Sequence, residues 1–322
     1  MCLRLYLTVI VKRKQYQYSQ YPFQFLKHKK ERIIVKSYLK FLLLSLCILT
    51  LASCSGEKNT QSAASTEQNK KEIIIGTTVG DFADMVRDQV KPELEKQGYR
   101  VQLLEFTDYV RPNLALADKS IDINIFQHKP YLDDFAQSRH LDIMPAFQVP
   151  TGPLGIYTGR MHELSAVKEG SSVSVPNDPS NLARALVMLD KLGWITLKTD
   201  INPLKASLAD IAGNNKNIKL VPLEAAQLPR SRHDVDFAVI NGNFATSSGL
   251  KFTSALYLEP GYTYVNWSAI RTADKDSQWV KDITAAYNSA AFKQYAFKRF
   301  AGYKYPESWG IQATQPASAP AK

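Results

Sequence analysis

The chain has 322 residues, 40 Lys and Arg against 30 Asp and Glu, and three cysteines. Ten of the basic residues and one acid, Glu31, fall in 1–53, so the formal charge of +10 shrinks to 30 basic against 29 acidic residues in the remainder. That balance excludes a nucleic-acid partner recruited by bulk positive charge. The cysteines are Cys2, Cys47 and Cys54, so nothing after Cys54 can supply a thiol nucleophile, a disulfide framework or a cysteine metal site.

From the N-terminus, "YLKFLLLSLCILTLAS" (38–53) is a short apolar core preceded by Lys29, Lys30, Arg32, Lys36 and Lys40. A basic stretch, about a dozen apolar residues and a small-residue end read as an export signal, too short to span a bilayer comfortably. Leu51-Ala52-Ser53-Cys54 is similar to the lipobox of bacterial lipoproteins, which implies cleavage before Cys54 and diacylation of that cysteine as the new N-terminus. Residues 1–53 are therefore assigned to the signal region, with 1–34 read as an upstream extension, because the segment from Val35 is already a complete signal. Polar residues 54–71 carry the lipid and a tether of roughly 20 Å typical reach. The tail at 311–322, "QATQPASAPAK" and its preceding Ile311, is expected to be unstructured.

Between them, 72–310 alternates β-rich runs with helical patterns, which predicts parallel sheets of α/β type. "EIIIGTTV" leads to a helix with Phe82, Val86, Val90 and Leu94 on one stripe, then to "YRVQLLEF", the helical "VRPNLALADKS" and the strand "IDINIF". A second series follows: "GPLGIYT", "SSVSVP", a helix, "IKLVPL", a helix and "VDFAVI". The helix after "SSVSVP" is best defined, with Asp178 as cap, Pro179 in the first turn and Gly193 at the end. Leu182, Ala185, Leu186 and Leu189 form its apolar stripe. Arg184 falls on another face, where the pattern alone equally allows a solvated surface arginine.

Ligands in open α/β sheets sit beyond the carboxyl ends of strands. Three polar clusters occupy that place here: Gln127-His128, Asn177-Asp178 and Asn241-Gly242-Asn243. One cluster would be ordinary turn chemistry. Three, drawn from both halves of the chain, predict a cleft between two lobes.

The blocks "DINIFQHKPYL" (122–132), "VPNDPSNLARAL" (175–186), "QLPRSRHDVDFAVINGNFA" (227–245) and "YTYVN" (262–266) resemble the NlpA family of methionine-binding lipoproteins, the substrate-binding components of methionine ABC importers. The resemblance covers essentially all of 72–310. It implies a two-lobed periplasmic-binding-protein fold, with lobe one at 72–149 plus 261–310 and lobe two at 150–260. It also implies a ligand pocket at Tyr109, Phe126, His128, Tyr131, Asn181, Arg184, Asn241 and Asn266. The implied ligand is L-methionine, with D-methionine, methionine-containing dipeptides or another small amino acid as alternatives. The implied partners are the importer's permease and ATPase subunits and, through the lipid on Cys54, a membrane of the cell envelope. No cofactor and no catalytic residue is implied. The sequence departs from the family pattern at "DFADMV" (81–86) and at Phe244, neither among the eight pocket positions.

Physical chemistry fits these expectations. Arg184 offers a planar donor fork for a carboxylate near a helix N-terminus. Amide oxygens of Asn241 and Asn266 suit an ammonium group, and His128 suits a hydrogen-bond donor. Tyr109, Phe126 and Tyr131 would surround a thioether, where S–aromatic contacts contribute about 0.3–1.5 kcal/mol each. Rival classes have less support. A hydrolase elbow of the Gly-x-Ser-x-Gly kind is absent, and the acids near His128 (Asp122, Asp133, Asp134) fit a strand start and a polar helix face. A metal-binding lipoprotein would need close histidine pairs, yet His128 and His140 lie twelve apart and no His-x-His or His-x₃-His occurs.

Overall fold

The computed structural model describes residues 70–310. The signal, Cys54, most of the tether and the 311–322 tail lie outside the described residues. In chain order the strands are β1 (Glu72–Thr78), β2 (Arg100–Phe106), β3 (Ile123–His128), β4 (Ile143–Val149), β5 (Gly155–Thr158) and β6 (Ser172–Pro176). They continue as β7 (Thr196–Leu197), β8 (Ile211–Gly213), β9 (Lys219–Leu223), β10 (Phe237–Ile240), β11 (Tyr257–Leu258) and β12 (Asn266–Arg271).

Two five-stranded sheets result, ordered β2-β1-β3-β12-β4 and β11-β5-β10-β6-β9, while β7 and β8 form a small ribbon. Neither large sheet is purely parallel. β1 runs parallel to β2 and β3, but β12 is antiparallel to both β3 and β4. In the second sheet β6 is parallel to β9 and β10, whereas β5 is antiparallel to β10 and β11. The expectation of parallel sheets is corrected by the crossovers. The chain enters the second sheet through 150–154 and returns through 259–265, and each time the strand after the crossing runs against its neighbours.

Apolar periodicity fixes how helices cover these sheets. In the helical stretch 81–96, Phe82, Val86, Val90 and Leu94 are all buried against the first sheet's core. A spacing of four each time overshoots a 3.6-residue turn, and the stretch contains a wider π turn at Val86–Val90. That turn ends two residues before Pro92, whose ring cannot share space with the carbonyl four residues back, at Asp88 within the turn. In the second lobe, helix Pro179–Lys191 buries Ala185, Leu186 and Leu189 against Val173, Val175 and Val239. Asp178 Oδ1 accepts the Asn181 N–H at 3.0 Å, and Gly193, at φ +66°, closes the helix in a conformation costly for any residue with a Cβ.

The architecture sets one geometric result. In the first sheet Asn266 pairs with His128 on one side and Val149 on the other, so all three stand at one edge. In the second, Ile240 of β10 is opposite Gly155. This aligns Asn241, the β6–helix turn at Asn177-Asp178 and the incoming crossover at Gly152 along its carboxyl edge.

Candidate functional site

Those two edges face one cavity of about 370 Å³, including its mouth. All eight residues expected from the sequence line it: Tyr109, Phe126, His128, Tyr131, Asn181, Arg184, Asn241 and Asn266. Phe82, Gln127, Thr151, Gly152, Gly242 and Asn243 complete the wall. Phe82 comes from the "DFADMV" stretch, so one departure from the family pattern does reach the pocket. The two glycines are there for closeness: a Cβ on Gly242 would lie 2.4 Å from the Gly152 carbonyl carbon.

One end of the cavity is aromatic. The Tyr109 ring stacks on Phe126 at 5.7 Å, Tyr131 meets both edge-on at 6.0 Å, and Phe244 packs on Tyr109 at 5.1 Å. The hydroxyls point out of this apolar end. Tyr131 donates to the Tyr109 carbonyl at 2.8 Å, and Tyr109 donates to Asn243 Oδ1 at 2.6 Å, a bond from the first lobe to the second. Phe244, the second departure, thus contributes ring packing, while its neighbour Asn243 receives the hydrogen bond.

The other end is polar. His128 closes β3 and caps helix Lys129–Arg139, its Nδ1 accepting the Tyr131 N–H at 3.1 Å. A neutral imidazole that accepts at Nδ1 carries its proton on Nε2, and Nε2 lies 3.1 Å from Asn181 Oδ1 across the cleft. Burial, then the neighbouring Arg184 charge, pulls the His128 pKa from 6.5 down to about 3, against the hydrogen bond to Asn181. The ring is therefore a neutral donor.

That shift has a stability consequence. An unfolded His takes a proton below about pH 6.5, whereas the folded one resists until about pH 3. Between those values the unfolded chain binds more protons, so stability falls as pH drops through 6.5. Going from pH 7 to 5, His128 should remove about 2 kcal/mol. Urea unfolding of the native protein and His128→Gln at both pH values checks this; equal losses in the two would contradict it.

Asn181 is the focus of the polar end. Its Nδ2 donates to both Asp178 carboxylate oxygens at 3.0 Å, which fixes the amide's orientation. Its Oδ1 then receives His128 Nε2, Arg184 Nη1 at 3.3 Å and Asn241 Nδ2 at 2.9 Å. Three donors converge on an oxygen with two lone pairs. Asn241 Oδ1, by contrast, is buried and has no partner among the described residues. Asn266 is held through Nδ2, which donates to the Phe126 carbonyl at 2.8 Å.

Arg184 is only 4% exposed, so the solvated-surface alternative is excluded. Nor does it present its whole fork to the cavity. Nε and Nη2 grip Glu259 Oε1 and Oε2, each at 2.5 Å, leaving Nη1 directed to Asn181 and the cleft. Burial alone would raise the Glu259 pKa, but the charges and hydrogen bonds of Arg184 and then Lys304 outweigh it and hold the carboxyl below its ordinary range. Tyr264 lies against the guanidinium, ring centre 4.6 Å away, and meets His128 at 5.1 Å. Glu259, Lys304 and Tyr264 had no sequence signal of their own, although Tyr264 lies in the "YTYVN" block.

The polar residues of "DINIFQH" have structural work. Asn113, Asn124 and Gln127 form a closed buried amide network with bonds of 2.7–2.9 Å. Asp122 accepts the Ile74 N–H at 2.9 Å and pairs with Arg271 and Lys70. Among the described residues no group of three or more His, Cys, Asp or Glu is placed to hold a metal ion.

Two α/β lobes with a cavity of aromatic and amide side chains between them define a two-lobed substrate-binding protein. The NlpA lipoprotein family model matches residues 73–308, and the chain belongs to that family. The D-methionine-binding lipoprotein MetQ of Escherichia coli K12 is 38% identical over 240 residues, 73% of this chain and 88% of the relative. Outer membrane lipoprotein 3 of Mannheimia haemolytica is 35% identical over 234 residues, 72% and 89% of the respective chains. A nutrient binding protein from Burkholderia cenocepacia, solved bound to methionine, has 40% identity and a TM-score of 0.69, covering 71% of this chain and 97% of that one.

Proposed function

We propose that this protein captures methionine in the interlobe cavity and delivers it to the permease and ATPase subunits of an ABC importer, acting as a binding protein and not as an enzyme. The observation that carries this reading is the Asn241 amide. Its Nδ2 joins a surplus of donors on Asn181 Oδ1, and its Oδ1 is a buried acceptor without a donor among the described residues. A ligand bearing both a carboxylate and an ammonium complements both imbalances, and buried polar groups gain most from such pairing. The aromatic end suits a thioether of modest size. Relatives that bind methionine support the same ligand. Denaturing the purified protein and identifying the released small molecule by mass spectrometry should give the mass of methionine; a different ligand of unit stoichiometry would overturn the assignment.

The same reading assigns lobe one to 72–149 plus 261–310, lobe two to 150–260, and a membrane anchor to Cys54. Among the described residues no helix is long and apolar enough to cross a membrane. Acyl chains on Cys54 would supply attachment, since two or more give stable anchoring. Cys54→Ala should release the protein to the aqueous fraction with ligand binding intact, as read by fractionation after a high-salt wash. Retention of that variant in the membrane would remove the anchor assignment.

A further inference from the structure

Behind the polar end of the cavity lies an ion cluster with two cations and one acid. Arg184, Glu259 and Lys304 are 4%, 7% and 7% exposed. Glu259 Oε2 serves both Arg184 Nη2 at 2.5 Å and Lys304 Nζ at 3.3 Å. The nearby half-buried acid Asp178 takes its side-chain hydrogen bonds from Asn181 and Ser180. Within these three side chains alone, two cations share the single carboxylate of Glu259. Without Lys304, Glu259 would cancel Arg184, the cation expected to face a ligand carboxylate.

Lys304 also belongs to the place where the lobes join. Its backbone exchanges two hydrogen bonds with Thr151 on the incoming crossover, at 2.8 and 2.9 Å. The Thr151 hydroxyl accepts the Asn266 N–H at 2.7 Å and donates to the Val149 carbonyl at 2.8 Å. Glu259 opens the return crossover, its N–H on the Leu154 carbonyl at 2.9 Å. Three chain segments thus meet at this cluster, and a lysine there has two separable roles, packing and charge.

We propose that Lys304 is a positioning residue for carboxylate recognition: acting through Glu259, it fixes the Arg184 guanidinium and keeps the cluster positive toward the cavity. This rests on the amino-acid-binding function proposed above. Beyond burial, Lys304 acts on the His128 pKa in the same direction as Arg184, downward, with Asn181 and Glu259 opposing them. Low-dielectric surroundings strengthen such an effect over what the same charge does at a surface.

The test uses the purified full-length protein stripped of ligand, its Lys304→Met and Lys304→Arg variants, and two probes, methionine and methionine amide. Lys304→Met should weaken methionine about tenfold, the scale of one charge-assisted contact, while the amide, which lacks the carboxylate, binds no worse than before. Lys304→Arg should restore the native ratio between the probes. Equal weakening of both probes by Lys304→Met would reduce Lys304 to a packing role and overturn the proposal while leaving the binding function in place. If the native protein shows no preference for methionine over its amide, carboxylate recognition itself falls, and the proposal with it. Should Lys304→Met fail to fold, Lys304→Gln is read by the same ratio.

Discussion

Arg184→Ala is expected to weaken methionine binding by about 3–5 kcal/mol, roughly 150-fold to several thousand-fold in dissociation constant. Two losses combine. The ligand carboxylate loses the Nη1 donor, and Glu259 is left as a buried carboxylate with only Lys304 at 3.3 Å to balance it. The second loss also lowers stability, because an uncompensated buried charge is costly. The double variant Arg184→Ala, Glu259→Gln separates them: urea unfolding should show stability partly recovered, and calorimetry should show binding still lost. Recovery of binding in the double variant would mean that Arg184 acts only as the counter-ion of Glu259.

Phe126→Ala should have an effect of comparable size on the folded state, about 3–5 kcal/mol, since it removes a 3% exposed ring from the first lobe's core. Its effect on selectivity is more informative. Norleucine places CH₂ where methionine has sulfur, so it tests the aromatic contacts at nearly constant shape. The native protein should prefer methionine, and Phe126→Ala should narrow that preference while weakening both ligands. Methionine sulfoxide should bind worst, as its oxygen enters a wall built from rings. Equal binding of methionine and norleucine by the native protein would make this end of the cavity a permissive apolar slot.

What was legible in the sequence was local. Helix Pro179–Lys191 could be bounded because Asp178-Pro179 and Gly193 carry start and stop chemistry in adjacent residues. The stripe at Phe82, Val86, Val90 and Leu94 showed which face is buried, but not that Phe82 would reach the cavity wall. The eight pocket residues came from family resemblance together with polar clusters at strand ends; composition alone could not separate Arg184 from a surface arginine. Long-range pairing was not legible. Glu259 lies 75 residues from Arg184 and 45 from Lys304, and no periodicity links them. The antiparallel placement of β12 was equally hidden, because alternation of strands and helices does not report a crossing between lobes. The amide network of Asn113, Asn124 and Gln127 was hidden for the same reason, since its partners lie 11 and 14 residues apart with no pattern joining them.

The most direct measurement is calorimetric titration of refolded, ligand-free protein against L-methionine, D-methionine, methionine amide, norleucine and the other common amino acids. The account predicts one saturable site, with methionine bound more tightly than the amide, norleucine or any other amino acid in the panel. Tighter binding of a different amino acid, or no binding of either methionine enantiomer, would contradict it.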